Sequence, residues 1–399
     1  MVLPNSVASS QKSMQRVGVI GGGQLAWMMA EAAEKLGIEL WVQTPSPTDP
    51  AVAIAAQTIL APVDDAIATA QLAAQCDVIT FENEFVDLPA LALLAQQGTC
   101  FRPSLDALRP LLDKYDQRTL MESLGLPTPA FTIQELLPYA DSFPPAFPVV
   151  LKTRRHGYDG QGTFIVHTAA ELEVTLAQLA SVPVLLEKFI PFERELAVMA
   201  ARSLSGEIAI YPIVETQQEN QVCRRVIAPA RINPEVASLI ETIVHTLLTH
   251  LQVVGIFGIE FFLTQDGTVL INEIAPRTHN SGHYTLDACA TSQFEQQLRA
   301  ICGLPLGSTA MTADAAVMVN LLGYEQSVSD YATKRQALAA IPHAHVHWYG
   351  KTESRPGRKL GHVTVLLDEA AELQDQAIAN DSGMRSEIAH HIESIWYSP

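Results

Sequence analysis

Two carboxylates thirteen residues apart, Glu260 and Glu273, mark where chemistry is concentrated in this chain. Glu260 lies in the apolar run Gly258-Ile259-Glu260-Phe261-Phe262, and Glu273 in Leu270-Ile271-Asn272-Glu273-Ile274-Ala275. Between them Gln265-Asp266-Gly267 reads as a hairpin turn, so the two carboxylates fall on neighbouring strands. Such a pair suits Mg²⁺, a hard cation that takes oxygen ligands and bridges them to substrate phosphates. The second strand leads into Pro276-Arg277-Thr278-His279-Asn280-Ser281-Gly282-His283, which adds a guanidinium and two imidazoles. His279 and His283 are spaced i,i+4, but zinc would need a third ligand, and the proline and Ser-Gly argue against a helix there. Hydrogen bonding to an oxyanion accounts for them better. His343, His345 and His347 alternate as on one face of a strand, where Trp348 and Tyr349 would pack; that reading is preferred to metal binding.

Phosphate-holding segments recur elsewhere. The strand Val149-Val150-Leu151-Lys152 precedes a loop, residues 153–162, with Arg154, Arg155, Gly157, Gly160 and Gly162; exposed amides beside these cations can fold over a polyphosphate. The strand from Val184 to Ile190 carries Glu187, a carboxylate suited to the hydroxyls or amino group of a nucleoside. Near the N-terminus, Gly21-Gly22-Gly23-Gln24-Leu25-Ala26 approximates the dinucleotide fingerprint, and tight strand-to-helix packing explains it nearly as well. The second strand ends in Val42-Gln43-Thr44 without the acidic residue that would bind a ribose, which favours a mononucleotide phosphate over NAD. Lys351, Arg355, Arg358 and Lys359 form a basic cluster in an otherwise acidic chain and are a second candidate anion site.

The elements that must position these residues follow from their pattern. Val17 to Ile20, a helix from Gln24 to Leu36, Ile38 to Gln43 and Asp77 to Phe81 alternate as βα units, the signature of a parallel sheet flanked by helices. Pro127-Thr128-Pro129 and the proline-rich Phe143 to Pro148 punctuate the start of a second unit. A chain of 399 residues calls for two to four lobes. Its net charge of −18 argues against a nucleic-acid partner. No apolar run approaches the roughly 20 residues needed to span a bilayer, so no membrane partner is expected. Five scattered cysteines fit a reducing cytoplasm, and residues 1–15 read as a loose polar leader.

In order and spacing these motifs resemble the ATP-grasp ligases, most closely the N5-carboxyaminoimidazole ribonucleotide synthetase family, from about Arg16 to about Leu367. The resemblance also rests on Phe81-Glu82, Ser292-Gln293-Phe294-Glu295 and Gly357-Arg358-Lys359-Leu360-Gly361-His362. It implies ATP-dependent carboxylation of 5-aminoimidazole ribonucleotide by bicarbonate, with Mg²⁺ or Mn²⁺, in a homodimer. It implies an α/β and α+β architecture: an N-terminal doubly wound α/β domain (16–126), a small lid (127–203), a larger α+β unit with the metal carboxylates (204–310) and a C-terminal β-rich segment (311–399).

Residue by residue, it implies that ATP meets Lys114, Lys152, the lid Gly157, Tyr158, Asp159, Gly160, Gln161 and Gly162, then Glu187, Lys188, Phe189 and Ile190, with Glu195, Gln218, Asn272 and Glu273. Glu260 and Glu273 would hold the metal, and Arg277, His279 and Asn280 the bicarbonate, while Asp159 takes the amine proton beside Tyr158. The ribonucleotide would meet Gly23, Gln24, Leu25, Glu82, Lys351, Arg358 and Lys359. The family commonly continues Gly-Gln-Leu with Gly-Arg, where this chain has Ala26-Trp27. A formate-using transformylase, a dinucleotide oxidoreductase and a non-catalytic nucleotide sensor are the rival readings.

Overall fold

A computed structural model describes residues 16–133, 146–155, 157, 162–179, 182–368 and 381–398. The expected leader, residues 1–15, lies outside them. Among the described residues the chain builds three sheets in succession. The first comprises β1 (Arg16–Ile20), β2 (Glu39–Thr44), β3 (Gln57–Leu60) and β4 (Val78–Phe81), all parallel in the order β3-β2-β1-β4. The order reverses between β1 and β4, which opens a crevice at their carboxyl ends. The helix expected from Gln24 to Leu36 is instead two, Gln24–Trp27 and Ala30–Leu36. At Met29 the bonding tightens, its N–H donating to the Ala26 carbonyl three residues back. β3 was not apparent in the sequence, being a short edge strand with little burial.

The second sheet is antiparallel, with β5 (Phe131–Ile133), β6 (Val149–Thr153), β7 (Thr163–Val166) and β8 (Val184–Lys188) in the order β5-β8-β6-β7. The strand expected to reach Ile190 stops at Lys188; Phe189 and Ile190 form the connection to the third sheet.

That sheet contains β9 (Phe192–Arg202), β10 (Ile208–Ile210), β11 (Val214–Glu219), β12 (Val222–Ala228), β13 (Gly255–Thr264), β14 (Val269–Ala275), β15 (Ala315–Leu322), β16 (Ala344–Trp348) and β17 (Lys359–Leu367). Its path is β14-β13-β9-β11-β12-β15-β17-β16, with β10 on the other edge of part of β9. The sequence divisions after residues 203 and 310 both fall inside it. β9 pairs with β13 along ten residues, from Gly255 against Arg202 to Thr264 against Phe192, and β12 pairs with β15. The lid and the C-terminal segment are therefore joined to the large unit by continuous backbone hydrogen bonding.

Apolar faces explain how the layers stack. The helix Pro234–Leu251 repeats apolar residues at helical spacing and buries Ile240, Val244 and Leu247 against Phe257, Ile259, Phe261 and Ile271 of β13 and β14. The helix Gln293–Ile301 starts at Ser292, whose hydroxyl accepts from Glu295 N–H at 3.1 Å. It inserts Phe294, Leu298 and Ile301 into the core of the first sheet beside Val17, Val19 and Leu40. Glu295 adds an ion pair to Lys35 at 2.7 Å. At the far end, Trp396 is fully buried and its indole N–H donates to the Leu322 carbonyl at 2.8 Å.

The helix Gln293–Ile301 is a main anchor of the first sheet. Phe294→Ala should lower stability by about 3–5 kcal/mol, the usual cost of an aromatic cavity. Urea unfolding measures it. A loss below about 1 kcal/mol would mean that Phe294 is not a packed anchor.

Candidate active site

The hairpin between β13 and β14 sets Glu260 directly across from Glu273, with the register slipping just after Glu260. Lys114, at the start of the helix Lys114–Ser123, reaches Glu273 with Nζ 2.5 Å from Oε1. Burial pushes Glu273 up, but Lys114, Lys152 and His279 outweigh it and hold the carboxyl down at about 2. Burial and the two carboxylates Glu273 and Glu195 push Glu260 up to about 8. Glu195 is itself raised to about 7 by burial, which Lys152 and Gln218 only partly offset. Two facing carboxylates with unequal proton affinity are a donor set that a hard divalent cation would satisfy, since it favours both charged forms. Among the residues present, Glu260 and Glu273 fit that role.

Behind them lies a buried charge cluster. Glu187 on β8 is 2% exposed and is gripped by Arg118 through Nε and by Lys152 at 2.8 Å. Lys152 also donates to Asn272 Oδ1 at 3.0 Å, and Arg118 to the Asn272 carbonyl at 2.7 Å. The two ends of the pair shift differently. Glu187 is held down at about 2: burial opposes ionisation, and the two cations overcome it. Lys152 is also lowered, by burial first and then by Arg118 and Lys114, despite Glu187. Two cations bond Glu187 and keep its carboxylate ionised. An anion beside Lys152 would offset the burial and the neighbouring cations that lower it.

The glycine-rich turn after β1 has a different use from the one its motif suggests. Glu82, at the end of β4, accepts from the N–H groups of Gly23 at 2.5 Å, Leu25 at 3.0 Å and Ala26 at 3.4 Å. A Cβ on Gly23 would lie 2.5 Å from Glu82 Oε1, and one on Gly21, where φ is +117°, would lie 2.6 Å from Glu82 Cβ. The glycines admit a carboxylate from the same chain, and those three amides are already engaged. Gly23, Gln24 and Leu25 still line the cavity, so the close approach that the glycine spacing signals is accounted for by Glu82, and the turn gives no specific support to a dinucleotide oxidoreductase.

A cavity of about 1100 Å³ joins these groups. Its lining includes Gly23, Gln24, Leu25, Glu82, Lys114, Lys152, Gly157, Glu187, Lys188, Phe189, Ile190, Glu195 and Gln218. It also includes Glu260, Asn272, Glu273, Arg277, His279, Asn280 and Lys359. Tyr158, Asp159, Gly160 and Gln161 lie outside the described residues. Gly162 is described, at φ +79°, beside the Thr153 side chain.

The basic cluster near the C-terminus divides. Lys359 and Arg355 line the cavity, but Lys351 and Arg358 do not. Lys351 Nζ donates to the Lys359 carbonyl at 2.8 Å, and Arg358 to the Glu353 carbonyl at 2.8 Å, so both are drawn back onto their own hairpin. Asn280 forms a reciprocal amide pair with Asn320 at 2.9 and 2.7 Å, which leaves it less able to grip a ligand than expected. His283 is buried beside Phe294 and accepts from Gln293 Nε2 at 3.0 Å; burial keeps it neutral.

Some residues in and behind the cavity were not apparent in the sequence. Arg118 could have been found, since it sits i+4 from Lys114 on one helix face. Glu84 pairs with Arg277 at 2.9 Å and ties the loop after β4 to the strand end after β14. Phe192 stacks on Phe262 at 4.7 Å with planes 5° apart, a flat apolar surface at the cavity wall. No local signal marks either pair, because their partners are distant in sequence.

Glu187 has an ordinary carboxylate pKa, about 4.3, when unfolded. Lowered to about 2 in the fold, it stabilises the protein fully above the unfolded value, and that contribution is lost as pH falls from about 4.3 towards 2. Glu187→Gln should cost about 3–5 kcal/mol at pH 7, because two buried cations lose their counter-charge. It should also flatten the acid limb of stability against pH. An unchanged acid limb in the variant would show that other carboxylates set it.

Family profiles match the chain in three stretches: a ribonucleotide synthetase preATP-grasp domain over residues 14–110, an ATP-grasp domain over 119–294 and a phosphoribosylaminoimidazole carboxylase C-terminal domain over 316–376. The N5-carboxyaminoimidazole ribonucleotide synthase of Synechococcus elongatus is 56% identical over 397 residues, covering 99% of this chain and 98% of its own. That of Synechocystis is 52% identical, covering 97% and 99%. A solved N5-carboxyaminoimidazole synthase from Aspergillus clavatus, in complex with ADP and 5-aminoimidazole ribonucleotide, is 31% identical with a TM-score of 0.82, covering 94% of this chain and 99% of that one. With such identity along nearly its whole length, and with the same fold, the chain belongs to the N5-carboxyaminoimidazole ribonucleotide synthase family of ATP-grasp enzymes.

Proposed function

We propose that this chain carries out ATP-dependent carboxylation of 5-aminoimidazole ribonucleotide by bicarbonate, giving N5-carboxyaminoimidazole ribonucleotide, ADP and phosphate in de novo purine biosynthesis. One observation carries the reading. A single cavity is lined by the Glu82 turn of the first sheet, the Lys152–Glu187 cluster of the second and the Glu260–Glu273 pair of the third. Such a space can bring a nucleotide, a small anion and a second ribonucleotide together.

In this reading ATP lies between the second and third sheets. Glu187, Lys188, Phe189 and Ile190 frame the adenine, and Glu195 holds the ribose. Bicarbonate is a poor electrophile, so phosphorylation to carboxyphosphate gives it a good leaving group. Phosphoryl transfer between anions needs fixed positive charge, which Lys114, Lys152 and Arg277 provide. Mg²⁺, held by Glu260 and Glu273, would add charge neutralisation at the phosphoryl oxygens. Arg277 and His279 orient the bicarbonate, while Glu84 keeps Arg277 in place. Carboxyphosphate decomposes readily in water, so the reaction needs a site from which solvent is excluded. The amine of the ribonucleotide attacks the activated carboxyl carbon, or carbon dioxide released from it in the site, and Asp159 accepts its proton. The basic cluster Lys351, Arg355, Arg358 and Lys359 meets the ribonucleotide's phosphate, a reading supported by Arg355 and Lys359 lining the cavity.

ADP release, followed by a coupled assay, should be rapid only with Mg²⁺, bicarbonate and 5-aminoimidazole ribonucleotide together. Equal turnover with formate in place of bicarbonate would instead assign the chain to the transformylases.

A further inference from the structure

The histidine strand singled out in the sequence lies outside the cavity and takes no part in the proposed reaction. β16 places His347 across from His362 of β17, and the two rings stack with centroids 4.5 Å apart and planes 15° apart. Asp287, in the short helix Thr285–Ala288, faces them with Oδ2 2.9 Å from His347 Nε2 and Oδ1 3.5 Å from His345 Nδ1. One donor atom from each of Asp287, His347 and His362 lies within 4.8 Å of the other two.

A second observation separates this cluster from an ordinary ion pair. His362 is fully buried, and its Nε2 has no hydrogen-bond partner among the described residues. Its other nitrogen, Nδ1, is 2.8 Å from the hydroxyl of buried Tyr349. With Nδ1–H donating to that hydroxyl, Nε2 presents a lone pair inside the protein. An imidazole so fixed by an outer partner is the usual arrangement of a metal-bound histidine. A buried lone pair with no partner is otherwise costly.

We infer that Asp287, His347 and His362 form a binding site for a transition-metal dication of the zinc class, separate from the carboxylate pair in the cavity. Two imidazoles and one carboxylate suit Zn²⁺, Co²⁺ or Ni²⁺ better than Mg²⁺. Donors around tetrahedral Zn²⁺ sit about 3.3 Å apart, from bonds of about 2.0–2.1 Å. Ligation therefore draws Asp287 and His347 inward, and both side chains border solvent, 9% and 24% exposed. His345, 46% exposed beside Asp287, is available as an outer or fourth ligand. An ion here would fasten the β16–β17 hairpin to the segment that follows His283. His283 lines the cavity, and its ring centroid is 5.2 Å from that of His362. The ion would act as a clamp behind the cavity wall and would stabilise the fold by binding only the folded state.

The test uses the full-length chain, stripped of metal and titrated with Co²⁺. The expected result is saturable binding of one Co²⁺ with the visible absorption of nitrogen and oxygen ligation, displacement by Zn²⁺, and a higher melting temperature with either ion. Asp287→Asn and His347→Gln, both near the surface, should each weaken binding at least about tenfold, with circular dichroism showing that they fold. Glu260→Gln, at the separate carboxylate pair, should leave Co²⁺ binding unchanged. No saturable binding, binding that survives both substitutions, or a near-ultraviolet thiolate band assigning the ion to cysteine would each overturn the inference.

Discussion

Charge balance around the cavity is the constraint from which the rest of the site follows. Glu187, Glu195, Glu260 and Glu273 crowd one side of it, and Lys114, Arg118 and Lys152 neutralise them unevenly. Glu187 and Glu273, each bonded by lysine or arginine, stay ionised. Glu195 and Glu260, further from cations, are pushed up to about 7 and about 8. Uneven neutralisation of this kind stores a demand for positive charge beside Glu260, and for negative charge beside Lys152. A nucleotide polyphosphate with its divalent cation meets both demands together.

The fold supplies the cluster from three directions. β8 brings Glu187, β6 brings Lys152, the helix Lys114–Ser123 brings Lys114 and Arg118, and β14 brings Asn272 and Glu273. Gln117 locks that helix to β14 by donating to the Ile274 carbonyl at 3.0 Å and accepting from Ile274 N–H at 3.2 Å. The first sheet reaches the cavity through Glu82, whose carboxylate caps the helix after the glycine turn, and through Glu84, which pairs with Arg277.

The sequence revealed the site where its spacing was local. Glu260 and Glu273 flank one hairpin, so a turn signal and two apolar strands were enough to pair them. The βα alternation likewise gave β1, β2 and β4, because each buries a continuous apolar run; edge strand β3 does not, and went unseen. What failed were contacts between distant segments. The glycine turn looked like a phosphate cradle because glycine spacing reports close approach without saying what approaches, and Glu82 lies about sixty residues away. Within the basic cluster the sequence did not show that Lys351 and Arg358 bond carbonyls of their own β16–β17 hairpin while Lys359 and Arg355 line the cavity. Joining of the lid and C-terminal segment into one sheet was equally invisible, since strand pairing between remote segments leaves no local mark.

Proton release on nucleotide binding tests the charge-balance account most directly. Binding of Mg·ADP at pH 7 can be measured calorimetrically in buffers of different ionisation enthalpy. A Glu260 carboxyl raised to about 8 is mostly protonated at that pH, and it must ionise to hold the cation. The account predicts net release of protons, diminishing as pH rises past 8 and much reduced in Glu260→Gln. Binding without proton release, or with proton uptake, would contradict it.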